Sequence, residues 1–262
     1  LRSDSLPCPV ATVLGGGKYS PSQLDFEDYL YVLSGFQTFP EALEALVATY
    51  NRLGELLCKK LGGTSLIGGG AFAPAITDSR EAFEFMMTAI EKAGYSGRIS
   101  LGIDCVGSDI YHPDGFYHVG AKKMAPGELT EYYRTLTKDF PLVLIEDPFH
   151  EDDYANFARL TAMLPDVLIV GDDLFATNPE RLKKGMGKEP AANTILLKAN
   201  QIGTLTEVCT VAAMASRGGF SRIVSARSSD TNDSFIADLA VGLNASHIKV
   251  GAPATGEKNA KY

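Results

Sequence analysis

An eight-stranded β/α barrel is the fold that this sequence predicts, because of its length, its alternating pattern and its number of strands. The chain has 262 residues, of which 45% are hydrophobic, and such barrels commonly use about 250 residues as one domain. Near-continuous apolar runs alternate with helical patterns in the second part of the chain, as expected for parallel strands buried on both faces. The predicted strands there are 98–104, 141–147, 166–173, 193–200, 221–227 and 246–253.

Helical patterns fill the intervals between these strands. Asn178 followed by Pro179 is typical of an N-cap and a first helical residue, and Thr204 with Glu207 predicts a capping box. The alternation indicates βα units and a parallel sheet. The predicted helices are 127–138, 152–164, 178–186, 203–217 and 233–244.

The first hundred residues follow a different order. Two predicted strands, 7–14 and 29–33, have no helix between them, and two helices follow at 40–60 and 79–94. The complete order is therefore ββαα(βα)6, in one domain over 1–262, and eight strands are enough to close a barrel. An open doubly wound sheet is the alternative, but the glycine-rich turns lack GxGxxG after a strand.

Charge and composition exclude several classes of protein. With 24 basic and 32 acidic residues the net charge is −8, and without a basic stripe we expect no nucleic-acid partner. No apolar run approaches the roughly 18 residues of a membrane span. Four cysteines without a CxxC pair indicate reduced, buried thiols in a cytoplasmic protein. The chain begins at Leu1 without a signal peptide, so we expect a fragment that lacks a preceding domain.

Ionisable residues end the predicted barrel strands, where active sites of such barrels lie. Three carboxylates repel each other unless a cation lies among them, and ligands that are all oxygen favour Mg²⁺. The alternative is that the acids form structural ion pairs with the lysines and with Arg227. The three acids are Asp104, Glu146 and Asp172, and the two lysines are Lys198 and Lys249.

The basic residues at these strand ends suit an anionic substrate. Beside a divalent cation the pKa of Lys198 is expected to fall, which would make it a general base; its alternative role is a counter-ion. Arg227 and Ser228 can bind a phosphate group, and Lys249 can meet a second anionic group. The expected partner is therefore a small phosphorylated molecule.

Seven segments of the chain, taken in order, resemble the enolase family. They are LPCPVATVLGGGKY, LGIDCVGSDIY, LIEDPFHEDDY, VGDDLFATNPERL, LLKANQIGTLTE, DSFIADLAVGL and IKVGAP. The resemblance implies an enolase-type barrel without its N-terminal capping domain. It also implies a magnesium-dependent lyase of glycolysis that dehydrates 2-phospho-D-glycerate to phosphoenolpyruvate. Such a protein is expected to be a cytoplasmic homodimer or larger homo-oligomer.

The resemblance assigns roles to matching positions. Lys198 corresponds to the base that removes the proton α to the carboxylate, and Lys249 to the lysine that binds the substrate carboxylate. Arg227 and Ser228 fall where the family binds phosphate. The implied magnesium ligands are Asp104, Glu146 and Asp172.

Several family residues that assist the departing hydroxyl are replaced. Where the family usually reads GDEGGFAP, Gly69 replaces the glutamate that helps to expel hydroxide. The family's QEF is here Glu27-Asp28-Tyr29, so that Asp28 carries a catalytic carboxylate on a shorter stem. Family histidines are replaced by Tyr19 and Ala226.

These replacements leave three functions open. The first is a divergent enolase that still dehydrates 2-phospho-D-glycerate. The second is an enzyme that uses the metal and Lys198 on another phosphorylated or carboxylated hydroxy acid. The third is a catalytically impaired relative with a structural or binding role. General-acid catalysis typically contributes about 10²–10⁴-fold in rate, so its loss would stop dehydration more readily than proton abstraction.

Overall fold

A computed structural model describes residues 5–262 of the chain, without the side chain of Tyr19. The prediction for the Tyr19 side chain therefore lies outside the described residues. The strands are β1 (Cys8–Gly15), β2 (Asp28–Val32), β3 (Ser65–Leu66), β4 (Phe72–Ala73), β5 (Ser100–Asp104), β6 (Tyr117–Val119), β7 (Lys122–Met124), β8 (Leu142–Glu146), β9 (Leu168–Gly171), β10 (Thr194–Leu197), β11 (Ser221–Ser225) and β12 (His247–Lys249).

Eight of these strands close a barrel in the order β1-β2-β5-β8-β9-β10-β11-β12, with β12 pairing back to β1. The pairs β1–β2 and β2–β5 are antiparallel, and the neighbours from β5 to β12 and back to β1 are parallel. Strand β2 thus runs against the other seven barrel strands. The closed ring confirms the predicted barrel and excludes the open doubly wound sheet.

The helices surround this ring. Asn178 and Thr204 cap α6 and α8 as predicted, because their side chains accept hydrogen bonds from the backbone amides of Glu180 and Glu207. The helices are α1 (Phe39–Leu61), α2 (Ser79–Lys92), α3 (Gly107–Ile110), α4 (Pro126–Asp139), α5 (Tyr154–Met163), α6 (Pro179–Gly185), α7 (Ala199–Ile202), α8 (Leu205–Arg217), α9 (Phe235–Gly242) and α10 (Gly256–Asn259), with a 3₁₀ turn at Gly17–Tyr19.

Apolar side chains fill two layers, as in other β/α barrels. The larger layer lies between the strands and the helices. The smaller one is contributed by alternate positions of the barrel strands and fills the interior, so the barrel is a packed core and not a pore. Its members are Val10, Leu30, Val32, Leu144, Val170, Leu196 and Ile223.

The structure corrects the sequence predictions at several points. Strands β3, β4 and β7 were not predicted, because segments of two or three residues are too short to show a periodicity. The cysteines were expected to be buried, but Cys58 and Cys209 are exposed and Cys8 is half-buried. The two exposed thiols lie on α1 and α8, whose other faces contact the barrel. All four cysteines are free. Within residues 5–262 no helix is both long and apolar enough to cross a membrane.

Candidate active site

A cavity of about 640 Å³ lies at the end of the barrel where the parallel strands finish. Strand β2 runs in the opposite direction, so its first residue lies at this same end, with Asp28 paired to Asp104. Seven of the eight predicted site residues line the cavity, namely Asp28, Asp104, Asp172, Lys198, Arg227, Ser228 and Lys249. The eighth, Glu146, is fully buried.

Lys249 lies at the centre of a buried group of acids. Its Nζ is 2.8 Å from Asp104 Oδ2, 2.8 Å from Glu146 Oε2 and 3.3 Å from Asp28 Oδ2. The Thr12 hydroxyl adds a hydrogen bond of 3.1 Å to the same oxygen of Asp28. A single ammonium thus draws together acids from strands β2, β5 and β8.

Lys198 forms a second ion pair, with Asp172 Oδ2. The other carboxylate oxygen of Asp172 accepts a hydrogen bond of 3.3 Å from the Gln201 side chain. Thr177 holds this arrangement, because its hydroxyl accepts from the Lys198 amide at 3.0 Å and bonds Gln201 Oε1 at 2.8 Å. The loop after β9 therefore holds the backbone of Lys198, the candidate general base, in place.

The protein groups alone give unequal protonation in this cluster. Burial opposes ionisation of Asp104, but Lys249 outweighs it and the pKa of Asp104 is lowered. Burial and the charge on Asp104 raise the pKa of Glu146 well above its usual value. For Lys198, burial lowers the pKa, but Asp172 and Glu146 outweigh it and the net pKa is raised. The pKa decrease expected for Lys198 depends on a cation and is not produced by the protein groups.

The donor set fits a hard cation. Glu146 Oε1 is buried and has no hydrogen-bond partner among the described residues, and a buried carboxylate oxygen without a partner is costly. The ion pairs proposed as the alternative are present for both lysines, but Arg227 forms none with these acids within residues 5–262. Two lysines must balance the buried or nearly buried acids Asp28, Asp104, Glu146, Asp147 and Asp172. An excess of oxygen donors and negative charge favours Mg²⁺.

The tightest acidic group differs from the predicted ligand set. One oxygen from each of Asp147, Asp172 and Asp173 lies within 4.8 Å of the others. The Asp147 carboxylate, however, accepts hydrogen bonds from the backbone amides of Asp172 at 3.1 Å and Asp173 at 2.7 Å. Asp147 therefore stabilises the turn after β9, which positions Asp172, and this turn accounts for the close approach. The predicted set of Asp104, Glu146 and Asp172 stays a prediction.

The loop after β11 carries the expected phosphate-binding residues. Arg227 and Ser228 are both exposed and line the cavity. The buried Lys258 side chain donates hydrogen bonds to the carbonyl oxygens of Arg227 at 3.2 Å and Ser228 at 3.0 Å. Sequence reasoning missed Lys258, because it lies on the short helix α10 and not at a strand end.

The loop before β4 contains the most important replacement. Gly69 lines the cavity, and its carbonyl accepts a hydrogen bond of 3.3 Å from the Ala252 amide after β12. A Cβ atom added at Gly69 would meet nothing within 4 Å. The position is therefore held in place but offers the cavity no functional group.

Comparisons with known proteins agree with the fold. The family model for the enolase C-terminal TIM barrel domain matches residues 3–262. This chain belongs to the enolase family. It is 43% identical over 259 residues to an enolase of Methanocaldococcus jannaschii and 46% identical over 263 residues to one of Methanopyrus kandleri. An enolase of Pyrococcus furiosus is 44% identical over 263 residues.

This enolase-family barrel spans about 60% of the length of the curated relatives it matches. Each of the three alignments covers 98% of the present chain, but 60% or 61% of the relative. Membership of the family accounts for the barrel. Gly69 and Ala226 depart from the family motifs that the sequence resembles.

We expect Mg²⁺ binding to this enolase-family site to release protons and to become tighter as the pH rises. The pKa of Glu146 is raised well above its usual value by burial and Asp104, so the carboxyl must lose a proton before it can bind a metal. The measurement is isothermal titration calorimetry with Mg²⁺ in two buffers that differ in heat of ionisation.

The Glu146→Gln variant is expected to weaken Mg²⁺ binding by at least the roughly 10–100-fold seen when supporting residues of metal sites are lost. The control is Glu91→Gln, which changes an exposed residue on α2 and should leave binding unchanged. Equal heats in the two buffers, or an affinity that decreases as the pH rises, would contradict the prediction.

Proposed function

We propose that this barrel is the catalytic part of an enolase-type lyase, which dehydrates 2-phospho-D-glycerate to phosphoenolpyruvate in glycolysis with Mg²⁺. One observation carries the proposal. Lys198 and Lys249 face a single cavity at the catalytic end of the barrel. Asp28, Asp104, Asp172, Arg227 and Ser228 line it as well. The names of the relatives support the same reaction.

The metal has a definite place in this proposal. Asp104, Glu146 and Asp172 would hold Mg²⁺, with the unpartnered Glu146 Oε1 as one available donor. When bound, the ion would supply Lewis-acid stabilisation of negative charge on the substrate carboxylate. Its binding would also relieve the repulsion among the three acids.

The chain's own residues bind the substrate and move its proton. Arg227 and Ser228 are suited to the phosphate group, since guanidinium and hydroxyl groups donate to its oxygens. Lys249 lines the cavity and can attract the substrate carboxylate. Lys198 Nζ, in its neutral form, accepts the proton from the α-carbon. Asp28 lies on the β2 side of the cavity, where it holds Lys249 and presents a carboxylate to the departing hydroxyl.

The impaired relative is the second candidate, because of two observations. Gly69 presents no side chain to the cavity, and both lysines are already paired with acids. A barrel of this kind could fold and bind ligands without turnover. An enzyme that acts on another phosphorylated or carboxylated hydroxy acid is the third candidate.

The test uses the complete protein that carries this barrel. Phosphoenolpyruvate formation from 2-phospho-D-glycerate is followed with Mg²⁺ and with a chelator, beside exchange of the α-proton in deuterium oxide. Product that depends on Mg²⁺ supports the proposal. Exchange without product supports the impaired relative, and neither signal in folded protein rejects a role on this substrate. The homo-oligomeric state and the cytoplasmic location stay predictions.

A further inference from the structure

The departing hydroxyl needs a proton donor, but the position where the family resemblance places that donor is occupied by a glycine. Gly69 has no functional group, and a Cβ atom there would meet open space. Asp28 Oδ2 is engaged by the Thr12 hydroxyl at 3.1 Å and the Lys249 ammonium at 3.3 Å. That oxygen of Asp28 acts as an acceptor, so a second carboxyl in the cavity is the group that can donate a proton to the departing hydroxyl. This question rests on the proposed dehydration.

Glu27 supplies such a carboxyl. It lines the cavity directly before β2, whose reversed direction brings its first residues to the catalytic end of the barrel. The Glu27 carbonyl accepts a hydrogen bond of 2.8 Å from the Gly16 amide. Gly17, with φ of 63°, packs so closely that an added Cβ would lie 3.3 Å from Glu27 Cα. The backbone of Glu27 is thus fixed at the cavity wall.

Glu27 and Lys198 lie on opposite sides of the ring. In the closed order, β2 is the second strand and β10 the sixth, so the two strands are diametrically opposed among eight. Glu27 directly precedes β2, and Lys198 directly follows β10. A substrate between them would meet the base on one side and the Glu27 carboxyl on the other.

Burial, together with two neighbouring carboxylates, raises the pKa of the Glu27 carboxyl. Asp104 on β5 and Asp28 on β2 face it, as do Lys249 on β12 and Lys198 after β10. Burial and the two carboxylates raise the pKa of Glu27 to about 8, against the lowering effect of the lysines. Within the described part of the chain, no side chain hydrogen-bonds Glu27. Its proton is therefore available to a substrate oxygen.

We propose that Glu27 is the catalytic acid that protonates the departing hydroxyl. The Lys198 amine takes the α-proton, and the electron pair of that C–H bond forms the new C=C bond. The C–O bond breaks as its oxygen takes the Glu27 proton, and water leaves. Lys198 then holds an extra proton as ammonium and Glu27 is a carboxylate; exchange with solvent restores both.

The test is the Glu27→Gln variant of the complete protein with Mg²⁺ and 2-phospho-D-glycerate. The family motif QEF has glutamine at this position, so the variant keeps an accepted shape. We expect α-proton exchange to persist while phosphoenolpyruvate formation falls about 10²–10⁴-fold. Any alkaline decline of the wild-type rate that comes from ionisation of Glu27 should disappear from the residual activity.

A stability measurement with chelator gives a second readout. The pKa of Glu27 is raised from 4.5 to about 8 in the folded protein. The stability that protonated Glu27 contributes is fully present below pH 4.5 and is lost as the pH rises toward 8. The free energy of unfolding, measured with urea, should therefore decrease more over this pH range for the wild type than for Glu27→Gln.

Two control variants distinguish the outcomes. Asp25→Asn changes a carboxylate of the same segment that accepts a hydrogen bond of 2.7 Å from the Gly120 amide outside the cavity; it should change exchange and dehydration together or not at all. Asp28→Asn tests the neighbouring carboxyl. The role of Glu27 is overturned if Glu27→Gln dehydrates at the wild-type rate, or if both rates fall together.

The wild type separates this role from the proposed function. Wild-type protein that neither exchanges nor dehydrates overturns the proposed function and the role of Glu27 with it. Wild-type protein that exchanges without dehydrating also overturns both and supports the impaired relative, in which the metal and Lys198 work without an acid. Dehydration by the wild type that Glu27→Gln retains overturns the role of Glu27 alone. Dehydration by the wild type, with a selective loss in Glu27→Gln, supports both.

Discussion

Replacing Lys249 with methionine is expected to destabilise the protein by about 3–5 kcal/mol, because removing one partner of a buried ion pair leaves uncompensated charge. The Lys249 side chain is only 8% exposed. Its ammonium is hydrogen-bonded to Asp104 and Glu146 and contacts Asp28. The measurement is urea unfolding in the presence of chelator. Phosphoenolpyruvate formation should be lost in the same variant.

The pH dependence identifies the cause of this loss. Protonation of the three acids removes the uncompensated charge. The difference in free energy of unfolding between the wild type and Lys249→Met should therefore decrease as the pH is lowered toward 5. Lys198→Met is the matched comparison, because its ammonium pairs with one acid, Asp172, and its loss should be smaller. Equal losses in the two variants at all pH values would show that charge balance is not what Lys249 provides.

Replacing Lys198 with alanine is expected to abolish α-proton exchange and product formation together, since both depend on the same base. General-base catalysis contributes about 10²–10⁴-fold, and the defect should be at least that large. Unfolding by urea should stay cooperative, because Lys198 lies at the edge of the cluster and Thr177 and Gln201 keep the loop after β9 in place. Deuterium exchange followed by NMR measures the defect.

The matched control is Lys188→Ala, which changes an exposed lysine in the loop after α6. It should exchange and dehydrate as the wild type does. The assignment of Lys198 as base would be rejected if Lys198→Ala retained α-proton exchange at a rate close to that of this control. Loss of product with exchange intact would also reject it, and would place Lys198 on the leaving-group side of the reaction.

Much of the barrel could be predicted from local patterns. Apolar runs gave all eight barrel strands within a few residues, because strands buried on both faces are near-continuous apolar runs. Most of the predicted strands extended too far at their C-terminal ends. For example, 221–227 was predicted as a strand, whereas β11 ends at Ser225 and the next residues form the loop that Lys258 supports.

The candidate site was only partly predictable. Ionisable residues at strand ends marked Asp104, Asp172, Lys198 and Lys249, since charge after an apolar run is conspicuous in a sequence. Glu27 was passed over for two reasons. It precedes a strand instead of following one, and only the reversed direction of β2 brings it to the catalytic end of the barrel.

The sequence by itself determined the family, the barrel order and the residue types at the strand ends, because periodicity and motifs are local properties. Only the tertiary structure decided how charge is distributed among them. One ammonium from β12 holds acids from β2, β5 and β8, and Glu146 Oε1 is left without a partner among the described residues. Burial and charge act through space between strands distant in the chain, so the protonation of Glu27 and Glu146 follows from barrel closure and not from sequence.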